Sequence, residues 1–595
     1  MESVKNLIEK HRWMKIWVTV MKYIIVTLIP IIAFYLMESY EHNPFQEVRH
    51  DAQVLNILLF LLIGGFLFLL TGGIRSALRI ELVLAMVFGL VNHYVMAFRS
   101  TPFVPWDVLS LGTAMSVVGE YDFTPTKRVV LVTLCFLALI GLLQFFKVKI
   151  KVKWPYRIAG AALVFAGLCV YTGKLQEEAF QNKHQLYPFL FTPGYMTKVN
   201  GMAVTFAMDM KYIVIEKPQG YSREEARKIL EKYETDIQVP EELPNIIVIM
   251  DEAFSDLSVL GELDANRDEM PFIRDLMENG KNVMAGYANV SVCGGNTANS
   301  EFEFLTGNTM AFLPEGSIPY QQYIKRESFS IASYLKELGY VTYGEHPYNA
   351  GGWSRDKVYP LLGIDRLLFL KDYDYRKYVR RYQSDMADVN QIIHTFETKE
   401  ENSPLFLFNV TMQNHGGYTE DFENFTPDIE ALDGKSRVVN KYLSLMKLTD
   451  ESIEYLLSYF EAQEEKTIIV FFGDHQPNTT VANPVFRYNG IDVNNLSKEQ
   501  VLNRYKVPFF IWANYSIEEK HDMELSLNYL GAKVLEAADI TLPAYMNFLK
   551  DLQEQYVSIT SIAMEESEGY EKEKAEELLK EYKILQYYYL FDRKR

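Results

Sequence analysis

Three side chains in one polar segment could act as a nucleophile. The segment is "VSVCGGNTANSEFEFLTG" at 290–307, and the candidates are Cys293, Thr297 and Ser300. Two adjacent glycines before Thr297 would let the backbone approach a ligand closely, because glycine lacks a Cβ atom. A helix that opens near Thr297 would also point its first amide groups at an anion such as phosphate. The segment alone leaves open which of the three side chains reacts.

Acidic and imidazole side chains follow three short apolar runs. "NIIVIM" (245–250) leads into Asp251 and Glu252, "LFLFNVT" (405–411) leads toward His415, and "TIIVFF" (467–472) leads into Asp474 and His475. Such runs are typical of strands buried on both faces of a largely parallel sheet. Ligands of open α/β sheets bind beyond the carboxyl ends of the strands. One such residue often only caps a helix or satisfies a loop carbonyl, but three strand ends together indicate a site.

Glu252, Asp474 and His475 are a ligand set dominated by oxygen. This set suits a divalent ion such as Mn²⁺, Mg²⁺ or Zn²⁺ better than copper or an iron–sulfur cluster. Three protein ligands leave one position open, which is the arrangement of a catalytic site. A hydroxyl that fills the open position has its pKa lowered and becomes a nucleophile.

The elements that must position these residues have an α/β pattern from residue 241 onward. Weaker strands are predicted at "VTYGE" (341–345) and "KVPFFIWAN" (506–514), and helices at 330–339 and 436–463. Alternating strands and helices predict a layered α/β domain with a mainly parallel central sheet.

Five apolar stretches precede this domain and predict a transmembrane bundle. Most approach the roughly 20 residues that span a bilayer. The third contains Glu81, Asn92 and His93 and the fifth is short, so the alternative is that one of them is a buried or re-entrant helix. The stretches are 16–37, 53–72, 80–98, 129–146 and 158–173.

Loop charges predict the orientation of the five spans. The N-terminus, the loop near 73–79 and "KVKIKVKWPYR" at 147–157 are basic and fall on one side. Basic loops face the cytoplasm, so everything after about residue 174 is expected outside the cell membrane. The whole chain has a net charge of −18, and its acidity lies in the part after residue 174, which argues against nucleic acid as a partner.

The chain divides into four predicted regions. Residues 1–174 form the anchor, 175–240 a connector with an amphipathic helix capped by Ser222, 241–545 the extracellular catalytic domain, and 546–595 a C-terminal helical segment. Cys135 and Cys169 lie in apolar runs, so the soluble part has one thiol, Cys293, and no internal disulfide.

Five separated motifs, in order, resemble the lipoteichoic-acid synthase family. They are a strand followed by Glu252, the run Thr297-x-x-Ser300-Glu301-Phe302, "HPYNAGGWSRDKVY" at 346–359, Asn414-His415, and Gly473-Asp474-His475. The family consists of membrane-anchored phosphoglycerol transferases on an alkaline-phosphatase/sulfatase-like fold. The resemblance implies that architecture here: five spans, a connector and an extracellular sulfatase-like domain.

The resemblance also implies roles for individual residues. Thr297 matches the nucleophile that forms a glycerophospho-threonine. The metal ligands, for an ion that the family implies to be Mn²⁺, match Glu252, Thr297, Asp474 and His475. The glycerol phosphate pocket matches His346, Trp353, Arg355 and His415. On physical grounds Arg355 can clamp a phosphate with a bidentate fork, and His346 or His415 can transfer a proton.

The motif match also decides among the three candidates of the opening segment. A sulfatase in which Cys293 matures to an aldehyde would need Pro and Arg shortly after the cysteine, and "CGGNTANSE" has neither. Ser300 lies about one helical turn past Thr297 and is expected to support the loop. Thr297 is therefore the predicted nucleophile.

The predicted reaction is transfer of glycerol phosphate from a membrane phospholipid, phosphatidylglycerol, to a hydroxyl acceptor in lipoteichoic acid (polyglycerol phosphate) synthesis. Gly416-Gly417-Tyr418 departs from the family pattern after Asn414-His415, which leaves the acceptor open among a glycolipid, a polyglycerol-phosphate chain and a cell-surface polysaccharide. Alternatives are a phosphoethanolamine transferase, a sulfatase-like hydrolase, or a non-catalytic surface receptor on the same fold.

Overall fold

The computed structural model describes residues 12–99, 102–110, 123–145, 152–187, 193–213, 215–314, 317–400 and 403–592. The chain forms two compact units. The first contains Met1–Asp107 and Asp122–Val214, and the second contains Val108–Tyr121 and Ile215–Arg595. The connector predicted at 175–240 is therefore divided between the two units at Val214.

The first unit is helical in its described residues. Its apolar core includes Phe34, Leu82 and Phe136, which are almost completely buried. The helices are Arg12–Glu38, Pro44–Glu47, His50–Thr71, Ile74–Arg99, Lys127–Leu142, Trp154–Gln176, Glu178–Lys183, Pro193–Asn200 and Met202–Asp209.

Three helices among the described residues are long and apolar enough to cross a membrane. They are His50–Thr71, Lys127–Phe145 and Trp154–Gln176. Tyr23–Glu38 is apolar but shorter, and Ile74–Arg99 carries the Glu81 that weakens its apolar run. Five spans and their orientation therefore stay a prediction, and part of the basic 147–157 loop lies outside the described residues.

The second unit is built on an eight-stranded sheet with the order β10-β2-β9-β8-β1-β7-β3-β4. The strands from β8 to β4 are parallel, β9 is antiparallel to both of its neighbours, and β10 is parallel to β2. The sheet strands are β1 Asn245–Asp251, β2 Val283–Asn289, β3 Val341–His346, β4 Arg366–Phe369, β7 Leu405–Val410, β8 Thr467–Gly473, β9 Lys506–Ala513 and β10 Lys520–Ser526. The predicted, mainly parallel sheet is confirmed.

The apolar runs form the centre of the sheet because both of their faces are buried. Along β1, Ile246 and Val248 contribute to one core, and Ile247 and Ile249 contribute to the other. Burying each such side chain contributes roughly 1.5–3 kcal/mol. The central strands are thus fixed from both sides, and their carboxyl ends provide a rigid base for the loops that follow.

Helices cover both faces of this sheet. The helix Arg223–Glu231 begins after Ser222, whose hydroxyl accepts the Glu225 N–H at 3.0 Å. The other helices are Pro271–Asn279, Thr297–Thr306, Pro319–Gln322, Ile331–Glu337, Arg355–Leu361, Asp385–Thr398, Arg437–Glu461, Thr479–Tyr488, Lys498–Asn503, Leu527–Ala537, Ala544–Gln553 and Lys572–Phe591.

Two short hairpins lie outside the main sheet. One pairs β5, Tyr378–Val379, with β6, Tyr382–Gln383. The other pairs β11, Tyr556–Ile559, with β12, Met564–Glu566. The C-terminal segment is therefore not helical throughout, because β11 supplies a partner that turns 564–566 into a strand.

Candidate active site

The candidate site lies at the carboxyl edge of four neighbouring parallel strands, β8, β1, β7 and β3. Glu252 follows β1, Asp474 and His475 follow β8, and His346 ends β3. His415 lies five residues after the end of β7. The register of the parallel strands brings residues that are far apart in sequence to the same edge.

Glu252, Asp474 and His475 form a compact, buried group. One ligand atom from each lies within 4.8 Å of the others. The His475 Nε2 atom is 3.3 Å from Asp474 Oδ2 and 3.9 Å from Glu252 Oε1. Burial and the neighbouring Asp474 raise the pKa of Glu252 well above its ordinary value, while the charge of Arg355 opposes that rise. Two carboxylates held this close out of water call for a compensating positive charge.

The donor set fits a divalent cation. Asp474 Oδ2 and His475 Nε2 are buried and have no hydrogen-bond partner. The other ring nitrogen, Nδ1, lies 3.0 Å from the Gln476 carbonyl, so it carries the hydrogen and Nε2 is left as an acceptor. A buried carboxylate oxygen and a buried imidazole nitrogen that lie 3.3 Å apart without hydrogen-bond partners are suited to bind one metal ion together. The described residues thus contain a candidate acidic metal site.

Thr297 is the first residue of the helix Thr297–Thr306 and lies against this group. Its Oγ1 donates to Glu252 Oε2 at 3.3 Å. Asn296 precedes the helix in a left-handed conformation, with φ of 68°. Gly294 also has a positive φ, 74°, and a Cβ there would lie 3.1 Å from the Asn478 side chain. The turn therefore needs glycine to bring the Thr297 hydroxyl to the carboxylates.

The segment after β1 is strained in a way that serves the same group. Ala253 has φ of 52°, and left-handed backbone costs roughly 1–2 kcal/mol for a residue with a Cβ. In this conformation its N–H donates to Asp474 Oδ1 at 2.7 Å. The strain therefore fixes one oxygen of Asp474 and leaves Oδ2 for a ligand.

Arg355 lies in a second buried cluster beside the metal group. Its Nε donates to Glu301 Oε1 at 3.0 Å and its Nη2 to the same oxygen at 2.5 Å. Its Nη1 lies 3.0 Å from His346 Nε2. Tyr359 donates to the other Glu301 oxygen at 2.7 Å. Because the charge of Arg355 lowers the pKa of Glu252, the guanidinium acts within electrostatic range of the metal group.

His415 is held by the β5–β6 hairpin. Its Nδ1 lies 2.9 Å from the Tyr382 hydroxyl. Arg380, in the turn of that hairpin, donates to the carbonyls of His415 and Gln413 at 2.7 Å each. Burial, with the charge of Arg380 and a smaller effect of His475, lowers the pKa of His415 to about 3. The imidazole is therefore neutral at neutral pH.

Trp353 occupies a strained turn just before Arg355. It and Ser354 have φ of 52° and 61°, and the indole is half-buried against the core. Its contribution to the pocket stays a prediction. Consecutive left-handed residues are costly, and such strain is concentrated at functional sites.

The other two candidates of the 290–307 segment have structural contacts. Ser300 Oγ donates to the Asp474 carbonyl at 2.6 Å and thereby ties the helix to the loop after β8. Cys293 Sγ accepts from Arg504 Nη2 at 3.0 Å, and burial raises the pKa of the thiol. A thiol with a raised pKa is a poor nucleophile at neutral pH.

Several supporting residues escape sequence reasoning. Glu301 stands in the quoted motif, but its contact with Arg355 crosses 54 positions of the chain. Tyr382 and Arg380 belong to no motif, and only the folded hairpin brings them to His415. The one available signal is the helical spacing of four between Thr297 and Glu301, which places both side chains on one face.

Comparison with known proteins identifies the fold of the second unit. Residues 244–540 match the sulfatase family model and form a sulfatase-family domain. The structure is similar to the phosphoglycerol transferase GacH of Streptococcus pyogenes, solved in complex with sn-glycerol-1-phosphate, with a TM-score of 0.52. The two share 22% identity over 64% of this chain and 96% of that one, a likeness that concerns the fold. The sulfatase-like fold and the family resemblance expected from the motifs are confirmed.

Two curated relatives match this chain over only part of their own length. A Rhizobium meliloti protein named for cyclic beta-1,2-glucan modification is 29% identical over 70% of this chain and 65% of its own length. Lipoteichoic acid synthase of Staphylococcus aureus is 25% identical over 39% of this chain and 35% of its own length. The matched region covers less than two thirds of either relative.

Proposed function

We propose that this chain, which carries a sulfatase-family domain, transfers glycerol phosphate from a membrane phospholipid to a hydroxyl acceptor, with Thr297 as the nucleophile. The observation that carries the proposal is the position of the Thr297 hydroxyl, which lies at a helix N-terminus and 3.3 Å from Glu252 Oε2. Beside it are Asp474 Oδ2 and His475 Nε2, two buried atoms that have no hydrogen-bond partner. The name of one relative, lipoteichoic acid synthase, supports phosphoglycerol chemistry in kind.

Glu252, Asp474, His475 and the Thr297 oxygen would hold the divalent ion, which we propose to be Mn²⁺, with Mg²⁺ and Zn²⁺ as alternatives. A bound divalent ion lowers the pKa of a hydroxyl and polarises phosphoryl oxygens. The remaining chemistry belongs to the chain. The amide groups that open the Thr297 helix favour the phosphate charge, and Arg355 supplies a fixed positive charge beside it.

The first half-reaction forms a bond between Thr297 Oγ1 and phosphorus. The bond from phosphorus to the diacylglycerol oxygen breaks, and its electron pair stays on that oxygen. The hydroxyl proton of Thr297 ends on the departing diacylglycerol. Glycerol phosphate is then joined to Thr297 as a phosphodiester.

The second half-reaction reverses these roles. An acceptor hydroxyl bonds to phosphorus, Thr297 Oγ1 leaves, and the acceptor's proton returns to Thr297. We assign the proton transfer to His415: its imidazole is neutral, and in the tautomer whose Nδ1–H donates to the Tyr382 hydroxyl its Nε2 is an acceptor. His346 and Trp353 would bound the pocket around the glycerol carbons.

The acceptor we favour is a hydroxyl of a cell-surface polysaccharide, with a glycolipid or a polyglycerol-phosphate chain as the second candidate. A relative that matches 70% of this chain is named for glucan modification. The N-terminal helices, three of which can span a membrane, suit a lipid donor such as phosphatidylglycerol. We propose the five-span topology with the catalytic domain outside the cell.

The test is transfer of a donor lipid's head group, labelled in its phosphate, by the full chain in lipid vesicles. Phosphatidylglycerol is compared with phosphatidylethanolamine as donor, and a β-glucan oligosaccharide with a glycerol-phosphate glycolipid as acceptor. Label from phosphatidylglycerol on the oligosaccharide is expected. Label only from phosphatidylethanolamine would identify a phosphoethanolamine transferase, and release to water at the same rate with and without acceptor would identify a hydrolase.

A further inference from the structure

Glu301 is a buried carboxylate that the proposed reaction does not use, although it lies one helical turn after Thr297. Its side chain has no solvent exposure. It accepts three hydrogen-bond donors from two residues of the helix Arg355–Leu361, namely Nε and Nη2 of Arg355 and the hydroxyl of Tyr359. A single carboxylate thus ties the helix that carries the nucleophile to the helix that begins with the phosphate-binding arginine.

We propose that Glu301 is a positioning residue that fixes the guanidinium of Arg355 for phosphate binding. This inference rests on the proposed function and deepens it. A guanidinium carries five N–H groups in a planar fork. Glu301 takes one on Nε and one on Nη2, and His346 takes one on Nη1. Two N–H groups remain, one on each terminal nitrogen.

These two N–H groups belong to the two nitrogens that form the outer edge of the guanidinium. That edge matches two oxygens of a phosphate in a bidentate contact. Arg355 is only 2% exposed. If its side chain could rotate freely, these two N–H groups would often be buried without an acceptor, which costs free energy. Because Glu301 binds one side of the guanidinium, the outer edge is held in one orientation. A phosphate can then bind without the cost of ordering the Arg355 side chain.

His346 completes the arrangement as an acceptor. Its Nδ1 lies 2.9 Å from the Val410 carbonyl and must carry the hydrogen, so its Nε2 lone pair receives Arg355 Nη1. Burial, with the charge of Arg355, holds the pKa of His346 well below its ordinary value. His346 therefore orients Arg355, and proton transfer falls to His415.

The test compares Glu301→Gln with Arg355→Ala and with the double variant, in the metal-loaded full chain. Two quantities are measured: the affinity for glycerol phosphate by calorimetry, and kcat/KM for transfer. Misplacing a binding group by about 1 Å costs on the order of 100-fold, so Glu301→Gln is expected to lose about that factor in kcat/KM. If Glu301 acts through Arg355, the double variant is no worse than Arg355→Ala alone.

A matched control is available on the same helix. Glu303 is equally buried, but its carboxylate binds Ser291 and the Met310 N–H instead of Arg355. Glu303→Gln is expected to leave glycerol phosphate affinity within about twofold. If Glu301→Gln does not fold, Tyr359→Phe removes one contact of Glu301 without leaving a buried charge unpaired, and about a tenfold loss in kcat/KM is expected.

Two results would overturn the role of Glu301. One is glycerol phosphate affinity in Glu301→Gln that equals or exceeds that of wild type, as simple removal of a repelling negative charge would give. The other is a double variant whose loss is the product of the single losses. Failure of the proposed function looks different: wild type would transfer nothing from any phospholipid, while the binding measurement on Glu301→Gln would still give its own answer.

Discussion

Asp474→Asn separates the metal-binding role of Asp474 from its structural role. The Ala253 N–H donates to Oδ1 at 2.7 Å, and an asparagine oxygen can keep that bond. The change converts Oδ2, which is buried without a partner, into an NH₂ group that cannot bind a cation. The backbone contact stays and one ligand is lost, so the variant is expected to fold.

The expected effect of Asp474→Asn on the stability of the folded chain changes sign when metal is added. Without metal, the buried carboxylates of Glu252 and Asp474 repel each other, and burial already raises the pKa of both carboxyls. The neutral amide of the Asp474→Asn variant removes that repulsion, so the metal-free variant is at least as stable as metal-free wild type. With metal, wild type gains the stabilisation that comes from binding to the folded state, and the variant gains much less of it.

The size of the metal effect follows from linkage. At a free metal concentration of about 100 Kd, wild type gains about 2.7 kcal/mol. If the variant binds at least about 100-fold more weakly, its gain at the same concentration is at most about 0.4 kcal/mol. For a unit the size of Ile215–Arg595, about 2.7 kcal/mol corresponds to roughly 3 °C in melting temperature.

The assay is thermal unfolding of the full chain, first with EDTA and then with Mn²⁺, Mg²⁺ or Zn²⁺. Elemental analysis after dialysis reports the bound ion. Asp388→Asn is the matched control, because Asp388 is equally buried and instead accepts from Asn409 at 3.1 Å. A metal-dependent shift in Asp474→Asn as large as in wild type, or no shift in wild type with any of the three ions, would refute the site.

Three further outcomes are expected. Burial raises the pKa of Glu345 from 4.5 to about 7, so wild type loses stability as pH rises from about 4.5 through 7. The Glu345→Gln variant does not have this loss, which amounts to up to about 3 kcal/mol. The variant should therefore melt at a higher temperature than wild type at pH 8 but not at pH 4. His415→Gln should lower kcat about 10²–10⁴-fold without changing metal content, and Tyr382→Phe should lower it less, as steady-state kinetics and elemental analysis report; equal metal loss in both would contradict the assignment. Cys293→Ser should keep transfer within about threefold, since Arg504 can donate to the hydroxyl, and abolished transfer would revive the thiol as nucleophile.

The centre of the fold could be predicted because its strands are continuous apolar runs. "NIIVIM" and "TIIVFF" became β1 and β8 within one residue of the predicted ends. Strands β2 and β10 were missed, because "VMAGYAN" is mixed and "KHDMELS" is largely polar and lies at the sheet edge, where one flank faces solvent. A polar edge strand gives no signal of burial.

The metal group could be predicted from strand ends, whereas its supports could not. Parallel strands bring Glu252, Asp474 and His475 to one edge wherever the register is correct. The left-handed turn at Ala253 has no sequence signal, since alanine normally avoids that conformation. The contact between Glu301 and Arg355 depends on how two helices pack, which no local pattern specifies.

Mass spectrometry of a Thr297 adduct tests the central claim most directly. The metal-loaded full chain is incubated with phosphatidylglycerol labelled in the head-group glycerol, without acceptor, quenched in acid and digested. We predict a labelled glycerol phosphate on the peptide that contains Thr297, its loss on addition of acceptor, and no adduct in Thr297→Ala. Transfer of label to acceptor at the wild-type rate by Thr297→Ala, or an adduct on Cys293 or Ser300, would contradict the account.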